Sequence, residues 1–278
     1  MSIRQNVRSI PVLHFAARLP VYWRRFASER RKWNRALLGD TLCPAENIAI
    51  RTPDHAIAHE VFESMVFETA GAVELREFLG LADGCASFVD LGASGGFFSA
   101  VFACSRPGSA TVLSVEPDPV SVRVLDSVRS KNTRAGIDWK IAAVGVAAMA
   151  GRIAVMADDA HYGVSVMQGN QKAGEVPVVP LARLCAEQQI SPDLIKIDIE
   201  SMEYEVVLSS LDFLKLHRPR LHLELHSPFL VKQGRDPKEI MTALFKLGYR
   251  FRHATTPADF LAGFDPDKIL RLDLVPSA

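Results

Sequence analysis

From residue 87 onward the chain alternates short apolar runs with longer amphipathic stretches, and this alternation restricts the fold more than any other feature. SFVDL (87–91) reads as a strand and GFFSAVFACS (96–105) as a helix. ATVLSVE (110–116) is a second strand, followed by a helix over 118–131, and DWKIAAVG (138–145) is a third strand. RIAVMA (152–157) and EVPVVPL (175–181) read as an excursion hairpin joined by a polar, glycine-bearing loop. LARLCAEQQ is a short helix, DLIKIDIE (193–200) a fourth strand and EYEVVLSSLDFL a helix. RLHLELH (220–226) is a fifth strand and PKEIMTALFKLG a helix, and YRFRHA and KILRLDLV close the chain as two more strands. Strands joined by helical crossovers imply a parallel sheet covered on both faces. Ligands in such sheets bind beyond the carboxyl ends of the strands, where the strand order reverses, so the strand-end residues are the candidates for function.

The first strand ends on Asp90 and runs into LGASGGFFS. Gly92, Gly95 and Gly96 allow a tight turn and a close backbone approach, and the next helix points free N–H groups at the same place. A dinucleotide fingerprint needs G-x-G-x-x-G, but Ser94 and Phe97 occupy its second and third glycine positions. A phosphate loop needs Gly-Lys-Ser/Thr, which is absent. A carboxylate at Asp90 repels a pyrophosphate and suits a ligand with an ammonium or sulfonium group, whose carboxylate end can use the loop's N–H groups. Glu116 ends the second strand, where an acid can accept hydrogen bonds from both hydroxyls of a ribose. A ribose with cationic substituents and no phosphate describes S-adenosylmethionine.

These segments also resemble the FkbM family of methyltransferases, within the class I enzymes that use S-adenosylmethionine. The likeness lies in VDLGASGGFFS (89–99), VEPDP (115–119), AAVG (142–145), VPLARL (179–184), LIKIDIESMEYEVV (194–207) and LELH (223–226), in family order. The KIDIE…E block is the most specific. The family usually has glycine after that glutamate, where this chain has Ser201, and a left-handed backbone there costs a serine more than a glycine. The resemblance implies an α/β fold: a doubly wound, mostly parallel, seven-stranded Rossmann-like methyltransferase sheet with helices on both faces. It implies that Gly92, Ala93, Ser94 and Gly96 line the methionine moiety with Asp90 near it. Glu116 would hold the ribose, Pro117 would flank the adenine, and Ala143 or Val144 would lie over its edge. Asp198 would face the cofactor's amino group or the substrate.

Methyl transfer to oxygen needs acceptor, methyl and sulfur held close and in line, and a base for the hydroxyl proton. The candidates are Asp198, Glu200, Glu203, Glu224, His226 and His161, with His226, Asp198 and Glu224 preferred; His226 titrates near neutrality. No metal is expected. Along RLHLELH, positions four apart are about 13 Å apart, so His222, Glu224 and His226 cannot all ligate one ion, although two of them with Asp198 could. Glu203 and Glu205, near a helix start, can serve the helix dipole alone. His161, Tyr162 and Ser165 occupy the excursion loop, and such loops often cover sites. The resemblance points to a hydroxyl of a sugar, glycan or natural product, so the expected partner is a small-molecule or glycan acceptor. Rival readings are N- or C-methylation, a nucleotide-dependent oxidoreductase, which the failed glycine fingerprint disfavours, and a non-catalytic binding module.

Formal net charge is zero, so bulk attraction to nucleic acid is not indicated. Cys43, Cys85, Cys104 and Cys185 form no CxxC pair and imply neither a zinc knuckle nor a disulfide framework. No run reaches the roughly 18 apolar residues of a membrane span, and the N-terminus lacks a secretory signal pattern, which points to the cytoplasm. Residues 1–70 read as an N-terminal helical arm and lead-in, and 71–278 as the S-adenosylmethionine-binding domain. The arm mixes arginines such as Arg4, Arg8, Arg24 and Arg25 with apolar Ile10, Phe15, Trp23 and Phe26. It reads either as helices packed on the domain or as a basic amphipathic segment making peripheral contact with an anionic membrane.

Overall fold

The computed structural model describes residues 40–157, 164–165 and 171–277. The arm expected before Asp40 lies outside them, as do His161 and Tyr162. Residues 43–278 form one compact unit. The chain enters through β1 (Thr41–Ala45) and β2 (Ile48–Arg51), which pair, and then α1 (Ala56–Phe67) and α2 (Thr69–Leu81). The lead-in thus holds a strand pair and a three-turn helix. Alternation begins with β3 (Ser87–Leu91), α3 (Phe97–Ser105), β4 (Ala110–Val115), α4 (Pro119–Asn132) and β5 (Ile137–Ala142). An excursion follows: β6 (Gly145–Val146), β7 (Gly151–Ala157), β8 (Val164–Ser165) and β9 (Gln171–Val179). These make a separate four-stranded sheet in the order β6-β9-β7-β8, larger than the expected hairpin. The chain returns through α5 (Leu181–Glu187), β10 (Leu194–Ile197), α6 (Glu203–Ser209), α7 (Leu211–His217), β11 (Arg220–His226) and α8 (Ser227–Lys232). It ends with α9 (Pro237–Lys246), β12 (Tyr249–Phe251), α10 (Pro257–Ala262) and β13 (Ile269–Pro276).

The main sheet has seven strands in the order β12-β13-β11-β10-β3-β4-β5. The five from β5 to β11 are mutually parallel, and β13 is antiparallel to both β11 and β12. Central strands covered on both faces must be apolar throughout. Leu194, Ile195 and Ile197 of β10 and Phe88, Val89 and Leu91 of β3 are accordingly buried. Lys196 and Asp90 are the charged exceptions and share one register position. At the head of α4, Asp118 accepts a hydrogen bond from the Ser121 N–H at 2.7 Å and Pro119 opens the first turn, a strong start signal. The helix expected over 203–214 is split into α6 and α7 at Ser210, whose N–H turns back to the Val207 carbonyl.

Candidate active site

The chain leaves β3 toward β4 and β5, then returns to β10 on the other side of β3. The loops after β3 and β10 therefore diverge, and a crevice opens between them. A cavity of about 350 Å³ lies there. Loop 92–95, Glu116, Pro117 and Val144 form one side, and Asp198, Glu200, Glu224 and Arg271 another. Helix α1 contributes Ala58, Phe62 and Met65.

The glycine turn is needed because two backbones meet in it. Gly92 has φ +76°, and a Cβ there would stand 1.7 Å from the Asp198 carbonyl oxygen. Gly96 has φ +86° and opens α3; a Cβ there would meet the Leu125 side chain at 2.5 Å. Gly92, Ala93 and Ser94 line the cavity, as expected of them, whereas Gly96 lies behind it and shapes the helix start. The loop's N–H groups are used differently from the expectation. Those of Gly92 and Ala93 donate to the Val115 carbonyl at 3.0 and 3.1 Å. That of Ser94 donates to Glu116 Oε2 at 2.8 Å. The turn is thereby tied to the end of β4, and these three amides are not open to a ligand's carboxylate.

Glu116 is buried to 7% exposure at the cavity wall. Its second oxygen accepts from the Asp118 N–H at 2.9 Å. Burial pushes its carboxyl up to about 7, against the lowering effect of the two backbone hydrogen bonds. Each carboxylate oxygen keeps a further lone pair, so a pair of neighbouring hydroxyls can bind without displacing the amides.

Asp90 does not line the cavity and is 1% exposed. Its Oδ2 accepts from the Ser99 hydroxyl at 2.6 Å; Ser99 meets Ser114 at 2.7 Å, and the Trp139 indole N–H donates to Ser114 at 2.8 Å. This chain ties β3, α3, β4 and β5 together beneath the cavity. Burial raises the Asp90 carboxyl, opposed by the Lys196 charge and the Ser99 hydrogen bond. The expected cofactor contact of Asp90 is thus replaced by a structural one: as the fourth residue of β3 it turns its side chain to the sheet face that α3 covers.

Beyond β10 the charges are linked. Lys196 Nζ donates to Asp198 Oδ2 at 2.8 Å and lies over the Phe98 ring. Burial works against the lysine's charge, but Asp198 and Asp90 outweigh it and its pKa is raised. The Asp198 carboxyl is lowered because the Lys196 charge overcomes desolvation. Asp198 Oδ1 faces His226 Nε2 at 3.9 Å, as does Glu200 Oε2. His226 Nδ1 bonds the fully buried Glu203 Oε1 at 2.9 Å, and the same oxygen accepts from the N–H groups of Ser201 and Ile199. Burial pulls the imidazole down, but Glu203, Asp198 and Glu200 more than offset it and hold His226 at about 9. The neighbouring carboxylates therefore favour the protonated imidazole in this arrangement, which weighs against the base role expected of it. Glu203 folds the 199–203 turn, a larger role than serving the α6 dipole. Glu224 forms a two-bond pair with Arg271 at 2.9 and 3.2 Å. Burial and the Asp198 charge raise its carboxyl. His222, on the same strand, is buried between Asp273 at 2.7 Å and Glu74 at 3.5 Å and serves the core.

Pro117 and Val144 line the cavity while Ala143 is exposed outside it. Sequence reasoning missed Phe62 and Met65, Phe98, Lys196, Glu74 and Arg271, all of which line the site. The Ala58, Phe62, Met65 spacing is that of one helical face and was a usable signal. Arg271 had none, since its place depends on β13 pairing with β11 across the Glu224↔Arg271 register.

The methyltransferase FkbM domain model matches residues 90–251, more than half of the chain. A search of curated proteins finds no match. Among solved structures, the methyltransferase FkbM from Methylobacillus flagellatus KT is 19% identical, over 68% of this chain and 43% of that one, with a TM-score of 0.44. The ribosomal protein L11 methylase from Lactobacillus delbrueckii subsp. bulgaricus is 10% identical over 86% and 99%, with a TM-score of 0.42. The O-methyltransferase from Bacillus cereus in complex with SAH is 10% identical over 77% and 88%, with a TM-score of 0.37. The present chain spans less than half the length of the Methylobacillus protein. Among the described residues no helix is long and apolar enough to cross a membrane.

Proposed function

We infer that this chain, which belongs to the methyltransferase FkbM family and is an S-adenosylmethionine-dependent methyltransferase, transfers the methyl group to a hydroxyl oxygen of a sugar, glycan or natural product. The observation behind this reading is Glu116: a buried carboxylate at a β-strand end, held by two backbone N–H groups and open to the cavity beside a turn where no Cβ fits at Gly92. That donor set fits a nucleoside whose ribose hydroxyls are free, and no lysine or arginine faces it from loop 92–96 to neutralise a pyrophosphate. Gly92, Ala93, Ser94, Glu116, Pro117 and Val144 would hold the cofactor.

When bound, the sulfonium supplies an electrophilic methyl group and leaves as a neutral thioether. The chain's own residues then have three tasks. Phe62, Met65 and Phe98 give the cavity apolar walls that exclude water. Asp198, Glu200 and Glu224 form an acidic rim that accepts hydrogen bonds from a neutral, hydroxyl-rich acceptor and orients it. With His226 already protonated, the hydroxyl proton passes to a carboxylate. Glu224, raised by burial and by Asp198, is a stronger base than Asp198, which is lowered by Lys196. The test has two arms. Calorimetry should show one SAH bound per chain, and Glu116→Gln should weaken it by at least about tenfold. Incubation with methyl-labelled S-adenosylmethionine and a panel of polyhydroxy acceptors should place the label on oxygen by mass spectrometry. Absence of SAH binding, or label on nitrogen or carbon, overturns the reading.

A further inference from the structure

The strand trio His222, Glu224 and His226 cannot surround one ion, but the fold brings a different trio together at the mouth of the cavity. Asp198, Glu200 and His226 each offer one ligand atom, and the three atoms lie within 4.8 Å of one another. We propose that these three residues form a binding site for a hard divalent cation of the Mn²⁺ or Mg²⁺ class beside the acceptor pocket.

Two independent observations support the site. The first is the spacing. Ion-to-ligand bonds of about 2.1 Å put neighbouring ligands about 3 Å and opposite ligands about 4.2 Å apart, and the two His226 Nε2 separations are both 3.9 Å. At most one of these two can be an opposite pair, so the other must close by about 0.9 Å to the neighbouring distance, and Glu200 is half-exposed at the rim. The second is the orientation of His226. Its side chain is 5% exposed, and its Nδ1 is bonded at 2.9 Å to Glu203, which is itself fully buried. Nε2 is therefore the nitrogen aimed into the trio, and it makes no hydrogen bond to a described residue. A carboxylate behind the non-ligating nitrogen is the arrangement that fixes the ring and strengthens it as a ligand. The ion takes the place of the proton that Nε2 otherwise holds between two carboxylates.

The donor types narrow the ion. Two carboxylates and one imidazole, with no thiolate, suit Mn²⁺ and Mg²⁺ over soft ions. Three protein ligands leave coordination positions for water and for an acceptor hydroxyl. Asp198 and Glu200 line the cavity, so a hydroxyl bound there sits beside Glu224. The ion would orient that oxygen and make its proton easier to lose. This function of the ion rests on the methyltransferase reading; the binding itself does not.

The test uses the full chain and Mn²⁺ alone. Electron paramagnetic resonance, which loses the aquo-ion signal on binding, and calorimetry should both report one Mn²⁺ per chain, displaced by excess Mg²⁺. His226→Gln and Glu200→Gln should each weaken Mn²⁺ at least tenfold while SAH binding changes less than threefold. Glu200 is at the surface, so its variant keeps the test valid if His226→Gln does not fold. Failure of the wild-type chain to bind Mn²⁺, or equal binding by both variants, overturns the site and makes the trio a proton-bridged ion cluster. SAH binding without Mn²⁺ binding sinks this inference alone, whereas Mn²⁺ binding without SAH binding sinks the methyltransferase reading and leaves the ion site standing.

Discussion

At the scale of single residues, the turn after β10 holds the strongest local conflict in the chain. Glu200 and Ser201 both have positive φ, 52° and 79°, and neither is glycine. A left-handed residue with a Cβ costs about 1–2 kcal/mol. Ser201 also buries a hydroxyl that finds no hydrogen-bond partner among the described residues, a further cost. Ser201→Gly removes both terms and adds unfolded-chain entropy, for an expected gain of about 1 kcal/mol, or roughly 2–4 °C in Tm for a chain of this size. Thermal unfolding checks it; a lower Tm would mean that Glu203 alone compensates for the turn. Asp90 makes the opposite case, a residue whose identity suggests chemistry and whose neighbours assign it to the framework. Asp90→Asn should destabilise by about 1–3 kcal/mol, because the bond to Ser99 weakens in a dry site. It should leave the SAH Kd within about threefold. A collapse of SAH affinity at unchanged Tm would return Asp90 to the cofactor.

At the scale of elements, α1 matters more than its place before the alternating region suggests. Phe62 packs edge-on against Phe97 at 5.1 Å between centroids and is 1% exposed. The first turn of α3 is thus held from the cavity side by a helix far from it in sequence. Phe62→Ala should cost about 3 kcal/mol, a fall of roughly 6–12 °C, and should weaken SAH because the cavity loses a wall. Denaturant unfolding and calorimetry separate the two effects, and an unchanged SAH Kd would detach α1 from the site. The same helix marks the limit of what the sequence discloses. The β/α alternation, the glycine turn and Glu116 are local signals, and they were legible because each is written within a few consecutive residues. Asp198 was legible as a strand end. Lys196 was not, since a lysine inside an apolar run becomes meaningful only when Asp90 of the neighbouring strand shares its register position. Arg271 and Glu74 reach the site from β13 and α2, and only the sheet order puts them there. The side-chain direction of Asp90 was misjudged because adjacency to a ligand loop does not say which face of the strand a residue is on.

At the scale of the whole molecule, stability and ligand binding share a titration. Glu116 is held at about 7 in the folded chain against an ordinary value of 4.5, and burial raises Asp90 as well. Between these limits the folded chain binds more protons than the unfolded one, so stability falls as pH rises. The contribution is fully present below about 4.5 and is lost as pH passes 7. For Glu116 it amounts to about 3 kcal/mol at 1.36 kcal/mol per unit. The lowered Asp198 acts in the opposite sense, but its contribution is lost only as pH falls below the ordinary aspartate range, outside this window. Urea unfolding at pH 5, 6, 7 and 8 should therefore show declining stability; Glu116→Gln, which cannot ionise, should flatten the slope between pH 5 and about 6.5, while His226, held at about 9 against an ordinary 6.5, continues the decline above it. Ligand reverses the sign. Ribose hydroxyls donate to the ionised carboxylate and stabilise the form that the empty site disfavours, so SAH should bind more tightly at pH 8 than at pH 5 and raise Tm more there. A decline between pH 5 and about 6.5 that survives Glu116→Gln would place that titration elsewhere. SAH affinity independent of pH would mean that the carboxylate buried at the end of β4 does not receive the ribose.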